Sequence, residues 1–353
     1  METSGKVGWG VIGACGIAKR RTIPEGIVPA ANARLVAVTD VNAAGSAEVA
    51  AKFGAQHCAD VKSLLKMKEV QAVYIATPNH LHKELVIAAA RRGKHILCEK
   101  PLGMTTSEIK KMTAACRKKN VLLGVGFMMR FNVYHQKLRD MVRDGTLGTP
   151  VMARGQMTCW YPPMEGAWRQ VPELGGGGSL VDMGAHVVDV LEMMFGRTKS
   201  VMARVANRVH TYKVEETALL LLEFESGVQG IVDVSFGIPD EASEFVLEVY
   251  GSKGAVKGKY SRGQGPGGEM RACILADGKG YDAQQNAQAK GGYQPLELPT
   301  RNTYQAEIEA FSDAILLGKP APIPAEDGLW NHAVMEAAYK SARTGKAVQP
   351  KVG

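Results

Sequence analysis

At 353 residues the chain exceeds a typical single domain, so two domains sharing an interface are expected. Hydrophobic residues make up 45% and charged residues 22%, an ordinary soluble globular composition. The net charge of +8 comes from scattered Lys and Arg without an accompanying aromatic stripe, which argues against nucleic acid and suits a small anionic ligand equally well.

The six cysteines show no CxxC pair and no regular spacing, against a zinc module or a disulfide framework and in keeping with a reducing compartment. The first residues, METSGKVGWG, reach a strand almost at once, leaving no room for a signal peptide. No apolar run reaches about 18 residues, so no membrane span is expected and a cytoplasmic protein is the default.

The first third alternates strand and helix. KVGWGVIGA reads as a buried strand, followed by a glycine turn and a helix from about Ile17. ARLVAVTD is a second strand, SAEVAAKFG a helix and QAVYIATP a third strand. HLHKELVIAAARRG is an amphipathic helix, KHILCEKP a short strand, TSEIKKMTAACRKKN a capped helix and VLLGVGFMMR a further strand. This alternation specifies βαβ units and a parallel sheet with helices on both faces.

From about Thr149 the pattern changes. TPVMARGQMTCWY, TKSVMARVANRV, ETALLLLEFES, GVQGIVDVSFG and SEFVLEVYGS read as strands, several alternating apolar and polar as in a sheet with one covered face. SRGQGPGGEM reads as a surface loop, and TYQAEIEAFSDAILLG and LWNHAVMEAAYKSARTG as closing helices. The fold class is an α/β domain with a doubly wound parallel sheet, residues 1–126, then an α+β domain with a large, mostly antiparallel sheet, residues 127–353.

Strand ends carry the chemistry. GVIGACGIAKR lies where the first strand gives way to a helix, so backbone there can approach a pyrophosphate. Gly10, Gly13 and Gly16 do not form a strict GxGxxG, and a plain tight turn also fits. Asp40 at the end of the second strand can accept hydrogen bonds from ribose hydroxyls and repel a 2′-phosphate, which favours NAD(H) over NADP(H). Alone, it also fits a strand-end turn. Thr77, Pro78, Asn79 and His82 close the third strand and can meet the same ligand. His82 alone fits an exposed helix start as well. Glu99-Lys100-Pro101 closes the fourth, and proline stiffens the point from which Lys100 projects, although a surface lysine also fits. GGGGSLVDMGAHVVDV (Gly175–Val190) sets a glycine run before a helix with Asp182 and His186 four residues apart, on one face. A core histidine, a surface ion pair or half a metal site fits that pair alone; no HExxH or cysteine cluster supplies further ligands, so no metal is expected.

AVYIATPNHLH, HILCEKPLGMT, GFMMRFN and GGGGSLVDMGAHVVD, in this order, resemble the glucose–fructose oxidoreductase and inositol dehydrogenase family (Gfo/Idh/MocA) over nearly the whole chain. Departures are Cys15 within the glycine turn and Val133 where many members have proline. The resemblance implies a Rossmann domain, a second domain built on a large open sheet, and frequent oligomerisation through that sheet, hence a homodimer or homotetramer. It implies a catalytic Lys100, Asp182 and His186, with cofactor contacts from Gly13, Ala14, Cys15, Gly16, Ile17, Asp40, Thr77, Pro78, Asn79, His82, Glu99, Lys100 and Arg130. Asn132 is placed beside Arg130. Substrate contacts are expected from Lys100, Asp182, His186, Tyr161, Trp168 and Arg169, with Trp160 nearby, since aromatic faces pack on sugar rings; ordinary packing also fits each aromatic. The implied reaction is NAD(P)-dependent hydride transfer at a secondary alcohol of a sugar or cyclitol. WRQVPELGGGGS resembles the matching segment of 1,5-anhydro-D-fructose reductases, so reduction of a keto-sugar is one alternative. Redox-assisted glycoside cleavage and a non-catalytic NAD-binding regulator are the others.

Overall fold

The computed structural model describes residues 5–261, 267–275 and 292–352. Residues 262–266 of the expected surface loop SRGQGPGGEM lie outside the described residues.

The amino-terminal part runs β1 (Val7–Ile12), α1 (Ala18–Ile27), β2 (Ala33–Thr39), α2 (Ala43–Phe53), β3 (Gln56–His57), α3 (Val61–Lys66) and β4 (Ala72–Ile75). It continues through α4 (His82–Arg91), β5 (His95–Glu99), α5 (Thr106–Lys118) and β6 (Leu123–Gly126). Side-chain caps start three of these helices: Asn42 on α2, Asp60 on α3 and Thr105 on α5 each accept an amide hydrogen bond. All strands are parallel, in the order β3-β2-β1-β4-β5-β6. That order reverses between β1 and β4, and a crevice opens outside the carboxyl ends of the strands at such a point.

The chain then forms α6 (Val133–Arg143), which sequence periodicity did not reveal, and β7 (Pro150–Thr158). A wide turn at Leu180–Gly184 leads into α7 (Ala185–Phe195). The second sheet adds β8 (Thr198–Ala206), β9 (Thr217–Phe224), β10 (Gln229–Ser235), β11 (Leu247–Gly251), β12 (Gly254–Lys259), β13 (Glu269–Ile274) and β14 (Gln294–Pro295). Its order is β14-β13-β12-β11-β7-β10-β9-β8. Only β7 and β10 pair in parallel; the other pairs among the described residues are antiparallel.

One face of this sheet packs on α7 and the closing helix. The approach is tight: a Cβ on Gly155 of β7 would sit 2.2 Å from Val187 Cγ1. Leu220 and Leu222 of β9 are buried, while the alternating Leu219 and Leu221 point outward, Leu221 being 57% exposed. Leu221 lies opposite Met202 of β8 and Ile231 of β10, both exposed, so the open face carries an apolar patch.

Two closing helices tie the parts together. α8 (Thr303–Leu316) returns to the first sheet, where Phe311 meets the buried Trp9 ring at 5.7 Å and Trp9 Nε1 donates to Ser312 Oγ at 3.1 Å. The last strand of the first sheet ends at Gly126 and the first of the second begins at Pro150, but the hydrophobic core around β1 is completed by Ile308 and Phe311 from the far end of the chain. α9 (Ala325–Thr344) spans both units, packing on β8 and on α5. It begins at Ala325, just after Pro324, rather than at the expected Leu329; Gly328, which reads as a breaker, lies within it against Val125 and Leu102, where a side chain would clash. Among the described residues no helix is long and apolar enough to cross a membrane.

Candidate active site

At the carboxyl ends of β1, β4 and β5, a cleft of about 290 Å³ lies between the first sheet and the wide turn before α7. Its floor toward the first domain is the glycine turn. Gly13 has φ +88°, and a Cβ there would sit 2.5 Å from the Ala76 carbonyl oxygen. The amides of Gly13 and Ala14 donate to Thr39 O, and that of Cys15 donates to Asp40 Oδ2 at 2.8 Å. Gly16 is different: nothing lies within 4 Å of where its Cβ would be, and with Ile17 it lines the cleft. Open space at the start of a helix, beside a strand-end carboxylate, fits a dinucleotide. Arg20, one turn into α1, faces the same cleft and brings a cation there.

Lys100 extends from the end of β5 to the second domain. Its Nζ donates to Asp182 O at 2.6 Å and to Asp182 Oδ1 at 2.7 Å. Arg169 Nε donates to the same Oδ1 at 3.3 Å, and its guanidinium lies 4.3 Å from the centre of the Trp168 ring. Burial would raise the Asp182 carboxyl, but Lys100 and Arg169 overcome it and hold that group well below the usual carboxylate range. His186 is 5% exposed, edge-on to Phe127 at 6.0 Å, and its Nδ1 has no hydrogen-bond partner. Burial, reinforced by the Lys100 charge, pushes its imidazole well below its ordinary 6.5, with Asp182 opposing only in part. The ring is therefore neutral at pH 7.

Asp182 and His186 do not sit on one regular helix. The Ala185 amide bonds Leu180 O, five residues back, so the turn carrying Asp182 is wider than an α-helical one. Such insertions are frequent at functional sites. Both side chains nevertheless line the cleft.

Glu99 also lines it. Its carboxylate accepts from the Tyr74 hydroxyl and from Lys100 N at 3.2 Å, while Tyr74 accepts from Thr22 Oγ1 at 2.9 Å. Burial pushes the Glu99 carboxyl up despite these bonds.

Residues 7–127 match the oxidoreductase family with an NAD-binding Rossmann fold, and residues 135–257 match the GFO/IDH/MocA C-terminal domain. The chain belongs to the Gfo/Idh/MocA family. It is 30% identical over 348 residues to a 1,5-anhydro-D-fructose reductase of Ensifer adhaerens, covering 98% of this chain and 99% of that one. It is 28% identical over 349 residues to a myo-inositol 2-dehydrogenase of Thermotoga maritima, covering 96% and 98%. The crystal structure of an aldose-aldose oxidoreductase from Caulobacter crescentus complexed with glycerol superposes with a TM-score of 0.86 at 26% identity, covering 98% and 99%. The chain is an NAD(P)-binding oxidoreductase acting on CH–OH groups.

Seen as a Gfo/Idh/MocA site, the cleft gathers many of the residues expected from sequence. Thr77, Asn79, Glu99 and Lys100 line it from the first domain, and Tyr161, Trp168, Arg169, Asp182 and His186 from the second. Asn79 also ties the two together, donating to Gly175 O at 2.7 Å. Other expected residues lie elsewhere. Arg130, expected at the cofactor, is committed to Asp189 (Nη2 to Oδ1 2.6 Å) and Asp327 (Nη1 to Oδ2 2.7 Å), outside the cleft. His82, also expected there, is fully buried, with Nδ1 3.0 Å from Pro101 O and Nε2 3.1 Å from Thr77 O, and so links two strand-end loops. Ala14 is buried, and Pro78 does not line the cleft. Asn132 caps α6 through the Tyr134 and His135 amides, and Trp160 packs on His210 outside the cleft.

Sequence reasoning missed Tyr304 of α8, Phe236 after β10, Met128, Met157 and Cys159, all of which line the cleft. Arg20 had a local signal, a cation one turn past the glycine turn. Tyr304 had none, since only the return of α8 to the first sheet brings it there.

Proposed function

We propose that this cleft carries hydride transfer at a secondary alcohol of a sugar or cyclitol, with NAD(H) favoured over NADP(H). The observation that carries the reading is the convergence of Lys100, Asp182 and a neutral, buried His186 in one cleft with the glycine turn. The names of the relatives, a reductase of an anhydro-ketose and a dehydrogenase of an inositol, support the substrate class.

The dinucleotide would be held by Gly16, Ile17, Arg20, Asp40 and Thr77. When bound, the nicotinamide supplies the hydride acceptor for oxidation and the donor for reduction. His186, held neutral, takes the hydroxyl proton onto an imidazole nitrogen as the carbinol C–H bond breaks. Lys100 Nζ donates to the reacting oxygen and offsets its growing negative charge. Asp182 fixes the direction of the Lys100 ammonium and, with Arg169, offers hydrogen bonds to a neighbouring hydroxyl. Trp168 and Tyr161 give apolar faces for a sugar ring. Reduction of a keto-sugar uses the same groups in reverse, and the likeness to the Ensifer reductase supports that direction as a second reading.

Asp40 supports the cofactor preference. Its carboxylate is fixed by the Cys15 and Asn42 amides at the end of β2, where a 2′-phosphate would meet negative charge. The apolar patch of Met202, Leu221 and Ile231 supports assembly into a homodimer or a tetramer of dimers, because an exposed apolar face of this kind is usually an interface.

Three outcomes are expected. NADH fluorescence over a panel of sugars, inositols and their keto derivatives identifies the best substrate, and on it His186→Ala lowers turnover by about 10²–10⁴-fold while NADH affinity stays near normal. The wild-type rate falls on the acid side only below pH 6.5, because the imidazole is neutral above its depressed pKa; that limb disappears in His186→Ala. A variant with wild-type turnover and an unchanged profile would remove His186 from the chemistry.

NAD(H) is expected to bind more tightly than NADP(H) by titration calorimetry. Asp40→Ser combined with Val41→Arg, at a fully exposed position, narrows or reverses the preference. Equal affinities of the unmodified protein contradict the role of Asp40.

Light scattering at micromolar concentration is expected to give at least twice the 37.9 kDa chain mass. A monomer mass contradicts assembly through the open sheet.

A further inference from the structure

The glycine run before Asp182 is built around one buried carboxylate. Glu215 Oε1, just before β9, accepts the Gly178 amide at 2.9 Å, the Leu180 amide at 3.0 Å and the Tyr339 hydroxyl of α9 at 2.9 Å. The Ser179 amide donates to the Glu215 carbonyl at 3.0 Å. Three successive amides at the start of the wide turn therefore end on one residue.

The glycines fit this anchor. A Cβ on Gly178 would sit 1.9 Å from the Glu215 carbonyl oxygen, and one on Gly177 would sit 1.9 Å from the Tyr339 hydroxyl. Neither glycine lines the cleft. Side chains are excluded here by Glu215 and Tyr339 rather than by a ligand.

We infer that Glu215, seated by Tyr339, is a positioning residue for the reaction: it fixes the backbone from Gly178 to Leu180 and so sets where Asp182 and His186 stand against Lys100. Glu215 is absent from the cleft lining and acts only through the amides it holds. The Gly178 carbonyl in turn accepts the Asp182 amide at 2.9 Å, so displacement of the anchored turn passes directly to Asp182. A misplacement of about 1 Å at a reacting group is sufficient to cost on the order of 10²-fold in rate.

The inference rests on the proposed roles of Lys100 and His186. Its test therefore includes readouts that need no turnover. Glu215→Ala is expected to lower kcat by about 10- to 100-fold. NADH affinity stays within about twofold, since the glycine turn and Asp40 are untouched. The His186 imidazole, followed by NMR of histidine-labelled protein, titrates closer to its ordinary range as the turn loosens around it. Glu215→Gln keeps an oxygen for the same three donors and restores kcat to within about threefold of wild type. Glu215→Ala with wild-type kcat and an unchanged His186 titration overturns the inference, and so does Glu215→Gln as impaired as Glu215→Ala. If Glu215→Ala does not fold, Tyr339→Phe removes one donor and keeps the ring. It is expected to lower kcat about two- to tenfold, the size of one net hydrogen bond, and an unchanged kcat in that variant overturns the inference. If the wild-type protein turns over none of the panel, the substrate reading fails, while the shift of the His186 titration in Glu215→Ala still supports or overturns the anchor.

Discussion

The contact between Lys100 and Asp182 is the constraint on which the rest of the site depends. Lys100 directly follows β5 of the parallel sheet and Asp182 lies in the wide turn before α7 of the second domain, so this ion pair spans the two units across the cleft. Lys100 donates both to the backbone and to the side chain of Asp182, which fixes the direction of the ammonium as well as its distance. The Lys100 charge also adds to burial in keeping His186 neutral, the state that its proposed role as proton acceptor requires. Position and protonation state thus come from one side chain.

Much of the remaining architecture holds the two ends of that pair in register. On the first side, cation and carboxylate alternate at the strand end: Glu99 is fixed by Tyr74, which is fixed by Thr22 of α1. On the second side, Asp182 follows backbone held by Glu215 and Tyr339. α8 and α9 close the structure across both units, and Phe311 and Tyr339 are the residues through which they reach the first core and the glycine run. The last fifty residues therefore belong to the site's support, although Tyr304 alone among the described ones lines the cleft.

Many of the expected residues that line the cleft were legible because they sit at strand ends and within one turn of a helix, where local spacing carries information. Lys100 in EKP and Asp182 and His186 in DMGAH are of this kind. Arg130 was misplaced because its partners Asp189 and Asp327 are 59 and 197 residues away, and no local pattern announces a bidentate pair at such distance. His82 was misplaced for a similar reason: the Pro101 carbonyl that holds it comes from the next strand end. The glycine run stood out in the sequence, but the groups it makes room for, Glu215, 35 residues beyond Leu180, and Tyr339, had no local signal. β12 to β14 were missed because β12 is interrupted by Gly254 and Gly258 and the other two are short, so they stand out only once β11 pairs with β12, β12 with β13 and β13 with β14.

The most direct measurement is the titration of the His186 imidazole by NMR in the wild-type protein and in Lys100→Ala. In the wild type the imidazole is expected to stay neutral below pH 6.5, since burial and the Lys100 charge both disfavour its protonation. Lys100→Ala removes the repelling cation and leaves the Asp182 carboxylate less compensated, so the His186 pKa is expected to rise. A His186 titration that is unchanged or lowered in Lys100→Ala would contradict the coupling of these groups across the cleft.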